Sequence, residues 1–349
     1  MDAKTTAKTG ARRVIVGIAA LFILFIIVSL VSVGIGDEHV PVGASAQIIC
    51  AHVFGYNAPA DVINKYGLII WDIRVPRVIL AIIVGILLAT AGTALQGLLL
   101  NPLADPYTVG VSSGAALGAA IAFVFGISGW FHGFGVPVTA FLFACAAMVA
   151  VYSLARSSGR VSIHSFLLAG IVVGSFLWAL LTFVLSIRGQ DVSRIIYWLL
   201  GSFVAPDNPW AYVLIPLPFA VIGLAVLYGL ARDLNVFSLG EETAQHLGIE
   251  TETLKVIVMA TTSLLTAAAV SVSGIIGFVG LVVPHIARRI FGADHRVLLP
   301  TAALSGAILM VASDTVARVL GELPVGVITA LIGAPFFLYL LRRQSGMTR

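Results

Sequence analysis

Side chains able to do chemistry are sparse in this sequence, and they fall in four places. The first is a polar segment, Leu234 to Gly248, reading LNVFSLGEETAQHLG between long apolar runs. Ser238 and Glu241 have the spacing of a capping box, in which the serine caps a helix start and the glutamate reaches back. Glu241 and Glu242 then fall in a first turn, where the helix dipole favours negative charge, and Gly248 suits a helix end. The pattern predicts a helix of about two turns, Leu239 to Leu247. Such a segment recognises a surface rather than catalyses, although pattern alone also accommodates a plain amphipathic surface helix. The second place is a set of arginines, Arg74 and Arg77 before one apolar run and Arg318 after another. A guanidinium offers carboxylates a rigid fork, while a lone arginine at a span end also anchors by snorkelling. The third is Asn101-Pro-Leu-Ala-Asp-Pro106, a turn stiffened by two prolines. The fourth is Pro284-His285 with Arg288 and Arg289. There the histidine has ligand chemistry, but packing at an inner helix end is the plainer reading.

Several chemistries are missing from the chain. There is no GxxxxGK[ST] phosphate loop, because Gly110 to Gly118 is glycine-rich but lacks the lysine, and there is no HExxH or GxSxG. The two cysteines, Cys50 and Cys145, form no CxxC pair. Carriers driven by ion gradients usually keep carboxylates or histidines at mid-depth. Here Asp314 is expected near an outer helix end and Asp105 in an inner turn. A nucleophile–base pair for an intramembrane enzyme is not evident either. No catalytic residue is therefore assigned.

The elements that must position these residues are membrane helices. Of the 349 residues, 59% are hydrophobic and 10% charged, against about a quarter charged in a soluble domain. A bilayer core about 30 Å thick takes roughly 20 apolar residues per helix. Apolar runs predict ten spans, at 14–35, 78–99, 108–127, 137–155, 165–187, 209–230, 254–272, 275–291, 299–317 and 325–341. The eighth is interrupted by Pro284. The chain reads as an all-α polytopic membrane protein with one transmembrane domain, 1–349. An inner tail, 1–13, precedes the first span, which has no removable-leader pattern, and an inner loop covers 231–252. Of the 20 lysines and arginines, all but Lys65, Arg74, Arg77, Arg188, Arg194 and Arg318 fall in inner segments. By the positive-inside bias both termini are then cytoplasmic. The basic residues form no single patch for nucleic acid. The longest outer segment, 36–77, is expected to hold a short surface helix, and glycines within the spans to serve close packing.

The segment Asn235 to Gly248 resembles the inner-loop motif of the FecCD-type permeases of ABC importers for iron–siderophores, haem and cobalamin. The resemblance extends over about residues 70–343, through Arg74-Val-Pro-Arg77, Gln96-Gly97, Asn101 to Pro106, Gly110-Val-Ser-Ser-Gly114, Leu168-Ala-Gly170, Trp198 to Ser202, Gly277 to His285, Asp294-His-Arg296, Glu322 to Gly326 and Gly333-Ala-Pro335. It implies a type II importer permease fold of ten helices that pairs with a second copy in the cell membrane. Two ATPase subunits would sit below and a substrate-binding protein above, moving a metal chelate (ferric siderophore, haem or cobalamin) inward. The permease itself would be no enzyme and hold no cofactor or metal, with ATP and Mg²⁺ bound by the ATPase. By the same resemblance Ser238, Leu239, Gly240, Glu241, Glu242, Ala244, Leu247 and Gly248 form the ATPase-coupling helix. Arg74, Arg77 and Arg318 meet glutamates of the binding protein. Asn101, Leu103, Ile163 and His164 form the cytoplasmic gate, with Ile163-His164 departing from the small polar residues of cobalamin importers.

Overall fold

The computed structural model describes residues 3–36, 38, 40–157, 160–187, 191–205 and 208–346. Arg188, Arg349 and the first two residues of the expected tail 1–13 lie outside the described residues. The helices in chain order are α1 (Ala3–Gly34), α2 (Val42–Phe54), α3 (Ala60–Gly67), α4 (Val75–Leu98), α5 (Val111–Val124), the single turn α6 (Trp130–Gly133), α7 (Gly135–Ala155), α8 (Ile163–Ile187), α9 (Val192–Leu199), α10 (Pro209–Leu214), α11 (Leu217–Gly229), α12 (Ala231–Phe237), α13 (Glu241–His246), α14 (Thr251–Ser273), α15 (Val279–Phe291), α16 (His295–Val319) and α17 (Val325–Gly346). A short hairpin of two two-residue strands, β1 (Arg156–Ser157) and β2 (Arg160–Val161), lies between α7 and α8, with Arg156 opposite Val161. The outer segment holds two helices, α2 and α3. The second runs through a π-helical stretch, Leu68–Arg74, into α4.

Among the described residues, seven helices are long and apolar enough to cross a membrane, or eight if α5 and the segment Ile127–Gly133, bent by 97° to it, count as one span. The ten expected segments all contain helices, but three are short, those holding α5, α15 and α17. Only Val279–Phe291 is helical within 275–291, because Gly274 and Phe278 both take left-handed φ angles, 70° and 69°, and hold the chain extended between them. The apolar part of α17 is Val325–Leu340.

The helix at the centre is α4. A helix apolar all round belongs in an interior, and 83% of the most apolar window in Ala60–Leu98 is buried, against none of that in α1. Small residues bring the neighbours in. A β-carbon on Gly92 would lie 1.9 Å from the Gly280 carbonyl oxygen of α15, and one on Gly85 2.4 Å from the Gly306 carbonyl oxygen of α16. Backbone contact of this kind replaces the hydrophobic drive that lipid removes. Pro284 cannot bond the Gly280 carbonyl four residues back. Gln96 of α4 supplies the missing donor, its Nε2 lying 3.4 Å from the Gly280 oxygen and 3.3 Å from that of Leu281. The proline is thereby accommodated inside the bundle.

Candidate functional site

One end of the bundle carries α12, α13 and the hairpin, the end that the charge pattern predicts to be inner. Ala231, Leu234 and Phe237 bury one face of α12. Asn235 holds that helix to the turn before α16, with its Nδ2 donating to Asp294 Oδ1 at 2.6 Å and its Oδ1 accepting from the His295 N–H at 2.8 Å. Burial works to raise the Asp294 carboxyl, but the Arg296 N–H and the Asn235 amide outweigh it and hold the carboxyl below its ordinary range.

The helix expected over Leu239 to Leu247 is present but shorter, Glu241–His246, and the capping box does not form. Ser238 ends α12 instead, its hydroxyl donating back to the Asn235 carbonyl at 2.6 Å. The cap position of α13 is Gly240, at φ 112°, with no side-chain bond, a backbone that glycine alone enters without strain. Glu241 therefore turns to Lys255 of α14, at 2.8 Å. Ala244 is buried, whereas Leu239 and Leu247 on either side are 66% and 62% exposed. A short helix anchored from beneath and flanked by two bare leucines is a presented surface.

Lys255 was not singled out by the sequence. It is 3% exposed, and its Nζ donates to Glu241, to Glu252 and to the Val161 carbonyl at 2.9 Å. Glu252 in turn accepts from the Val161 N–H at 3.1 Å. The sequence signal that could have revealed it is a lysine three residues after a glutamate in the first turn of an apolar helix.

Beside this knot lies a cavity of about 560 Å³, walled by Leu99, Leu100, Ile163 and His164 with Glu241 and Gln245 on its inner side. Ile163 and His164 of the expected gate are thus brought together. Leu99 and Leu100 face them, not Asn101 and Leu103. Asn101 is exposed and its side chain accepts from the Leu103 N–H at 2.9 Å, which shapes the turn. In the same turn Asp105 caps a 3₁₀ turn through the Tyr107 N–H at 3.0 Å. Burial pushes its carboxyl up to about 6 against that bond. The Tyr107 hydroxyl donates to the Ile276 carbonyl at 2.9 Å, and burial beside Asp105 pushes its ionisation far upward. His285 lies edge-on to Phe336 at 6.0 Å.

At the other end, the three arginines expected to face a partner are buried, at 5%, 7% and 3% exposure for Arg74, Arg77 and Arg318. Their guanidiniums are engaged within the chain. Helix α1 leaves its last carbonyls without partners, and the arginines take them. Arg74 donates to the carbonyls of Val33 and Gly34 at 3.2 and 3.1 Å, and Arg318 to those of Ser32 and Ile35 at 3.0 Å. Arg77 lies 2.9 Å from Asp314, which Arg318 also meets at 3.2 Å. Asp314 is fully buried. The half-exposed member of the cluster is Glu322, on Arg77 at 2.8 Å and itself at a left-handed φ of 58°. A second cavity at this end, about 630 Å³, is lined by Arg194, Tyr197, Trp198 and Tyr212 among others. The sequence offered no pattern for it, since those residues come from two separate helices.

A polytopic helical bundle with an exposed short helix beside a cavity at one end defines the class, a membrane transport permease. The chain belongs to the FecCD transport family, whose model matches residues 21–343. It is 41% identical over 369 residues to the cobalamin import system permease protein BtuC of Halobacterium salinarum, covering 97% of this chain and 99% of that one. The hemin transport system permease protein HmuU of Yersinia pestis is 41% identical over 288 residues, 79% of this chain and 84% of its own. Among solved structures, an inward-facing conformation of an ABC transporter of metal-chelate type superposes with a TM-score of 0.80 at 32% identity, covering 93% and 98%. The chain is thus a membrane-spanning permease subunit of an ABC transporter.

Proposed function

We propose that this permease forms half of a path that imports a metal chelate (ferric siderophore, haem or cobalamin) into the cytoplasm on the power of a separate ATPase. The observation that carries the reading is α13, a helix held from beneath by Lys255 and bare at Leu239 and Leu247. Such a knob suits a groove on the ATPase, which binds ATP and Mg²⁺ and moves the knob as a rigid body. The relatives named for cobalamin and hemin import support a bulky chelate as cargo. The exposed apolar length of α8, of which only 17% of the most apolar window is buried, suits apposition to a second copy around a shared path. Two permeases then carry two ATPases, with both termini cytoplasmic in the cell membrane and a substrate-binding protein at the end bearing Glu322. The permease itself catalyses nothing. The test is purification with co-expressed ATPase, followed by ATP hydrolysis with and without cargo-loaded binding protein. Stimulation that disappears in Leu239→Asp/Leu247→Asp is expected. Uphill uptake by the permease alone on a proton or sodium gradient overturns the proposal.

A further inference from the structure

We propose that Lys255 is the positioning residue that passes movement of α13 to the gate. The inference rests on the coupling reading of α13. Among the described residues, Lys255 is the side chain bonded both to α13 and to the hairpin before α8. An ammonium has three protons to donate, and all three are placed: one on Glu241 of α13, one on Glu252 of α14, one on the Val161 carbonyl of β2. The Val161 N–H returns to Glu252, so both backbone groups of one residue are clamped to α14. Val161 is itself 2% exposed, and two residues further on Ile163 begins α8 and lines the inner cavity.

The physical argument is one of allocation. A desolvated ammonium cannot drop a partner without exposing an unpaired charge to a poor solvent. When α13 is displaced, Lys255 either follows Glu241 or lets it go and shifts onto Glu252 and Val161, which it already holds, and each choice moves the load on Val161. The hairpin yields readily, because each of its strands is only two residues long. The first turn of α8 moves with it, and Ile163 and His164 shift against Leu99 and Leu100. The knot makes the distance from knob to gate a matter of a single side chain.

The experiment uses the permease assembled with its copurifying ATPase in nanodiscs, with hydrogen–deuterium exchange read before and after trapping with ATP and vanadate. In the parent protein, exchange changes at 239–248 and at 156–165 together. In Lys255→Met the change at 239–248 persists while that at 156–165 falls by about threefold or more, as expected for loss of charge-assisted bonds. Lys255→Arg, which keeps a buried donor, restores it. Should Lys255→Met fail to assemble, Glu241→Ala cuts the same link from the half-exposed side and carries the same expectation. A parent-sized change at 156–165 in Lys255→Met, or in Glu241→Ala where that stands in, overturns the inference alone. Absence of any change at 239–248 in the parent overturns the coupling reading and the inference with it.

Discussion

Replacing Arg77 with Met separates two roles for the outer arginines. Arg77 grips Asp314 through Nε and Nη2, at 3.0 and 2.9 Å, and Asp314 has no exposed surface. Methionine keeps the apolar stem and removes the charge. Leaving one member of a buried pair uncompensated costs about 3–5 kcal/mol. The lower end applies, because Arg318 still faces Asp314 at 3.2 Å. At about 2–4 °C per kcal/mol for a chain of this order of size, a loss of about 3 kcal/mol lowers Tm by roughly 6–12 °C. The assay is intrinsic-fluorescence melting of the purified permease in nanodiscs. Adding Asp314→Asn removes the orphaned charge, so the double variant should recover about 1 kcal/mol or more as a coupling energy. A Tm within a degree or two of the parent, together with lost stimulation by the binding protein, would refute the reasoning and return Arg77 to the surface as a docking group.

Three further outcomes follow from the geometry. Gly92→Ala places a β-carbon 1.9 Å from the Gly280 carbonyl oxygen, backbone that cannot step aside. The expectation is little or no monodisperse protein by size-exclusion chromatography. Ser238→Ala should leave ATPase stimulation within about twofold, since a surface hydrogen bond is worth about 1 kcal/mol or less, whereas Gly240→Ala strains φ 112° by about 1–3 kcal/mol and should depress stimulation severalfold. The Asp105 carboxyl is raised to about 6, so the folded chain keeps a proton that the unfolded chain has lost. Its contribution is full below about pH 4 and fades as pH rises through 6. Asp105→Asn keeps an acceptor for Tyr107 and should gain on the parent by about 3 kcal/mol at neutral pH, read as a Tm difference that vanishes near pH 4.

The sequence displayed what is local and hid what folding joins. Leu239 to Leu247 stood out because polarity is rare among apolar runs, and α13 lies within it. The Ser238–Glu241 spacing was misleading, since the same serine is well placed to close the preceding helix, and its hydroxyl bonds backward as serines near helix ends often do. Arg74 and Arg77 were visible as charges beside a span, but Arg77 finds Asp314 across 237 residues, and no local pattern encodes that partner. Lys255 counted only as one more inner charge, because its meeting with Val161 is made 94 positions away in the chain. The ten apolar runs were legible as helices. Their lengths were not, because Gly274 and Phe278 set the start of α15 by backbone angles rather than by hydropathy.

The continuity of α3, the π stretch and α4 has a mechanical consequence. Ala60–Leu98 counts as one helix of 39 residues, about 58 Å at the usual rise per residue, nearly twice the thickness of a hydrocarbon core of about 30 Å. Its first residues, Ala60 and Asp61, are exposed, and its last turn hands over to Leu99 and Leu100, which line the cavity beside α13. A push delivered outside need not travel through soft loops, because a single strut already reaches from doorstep to exit.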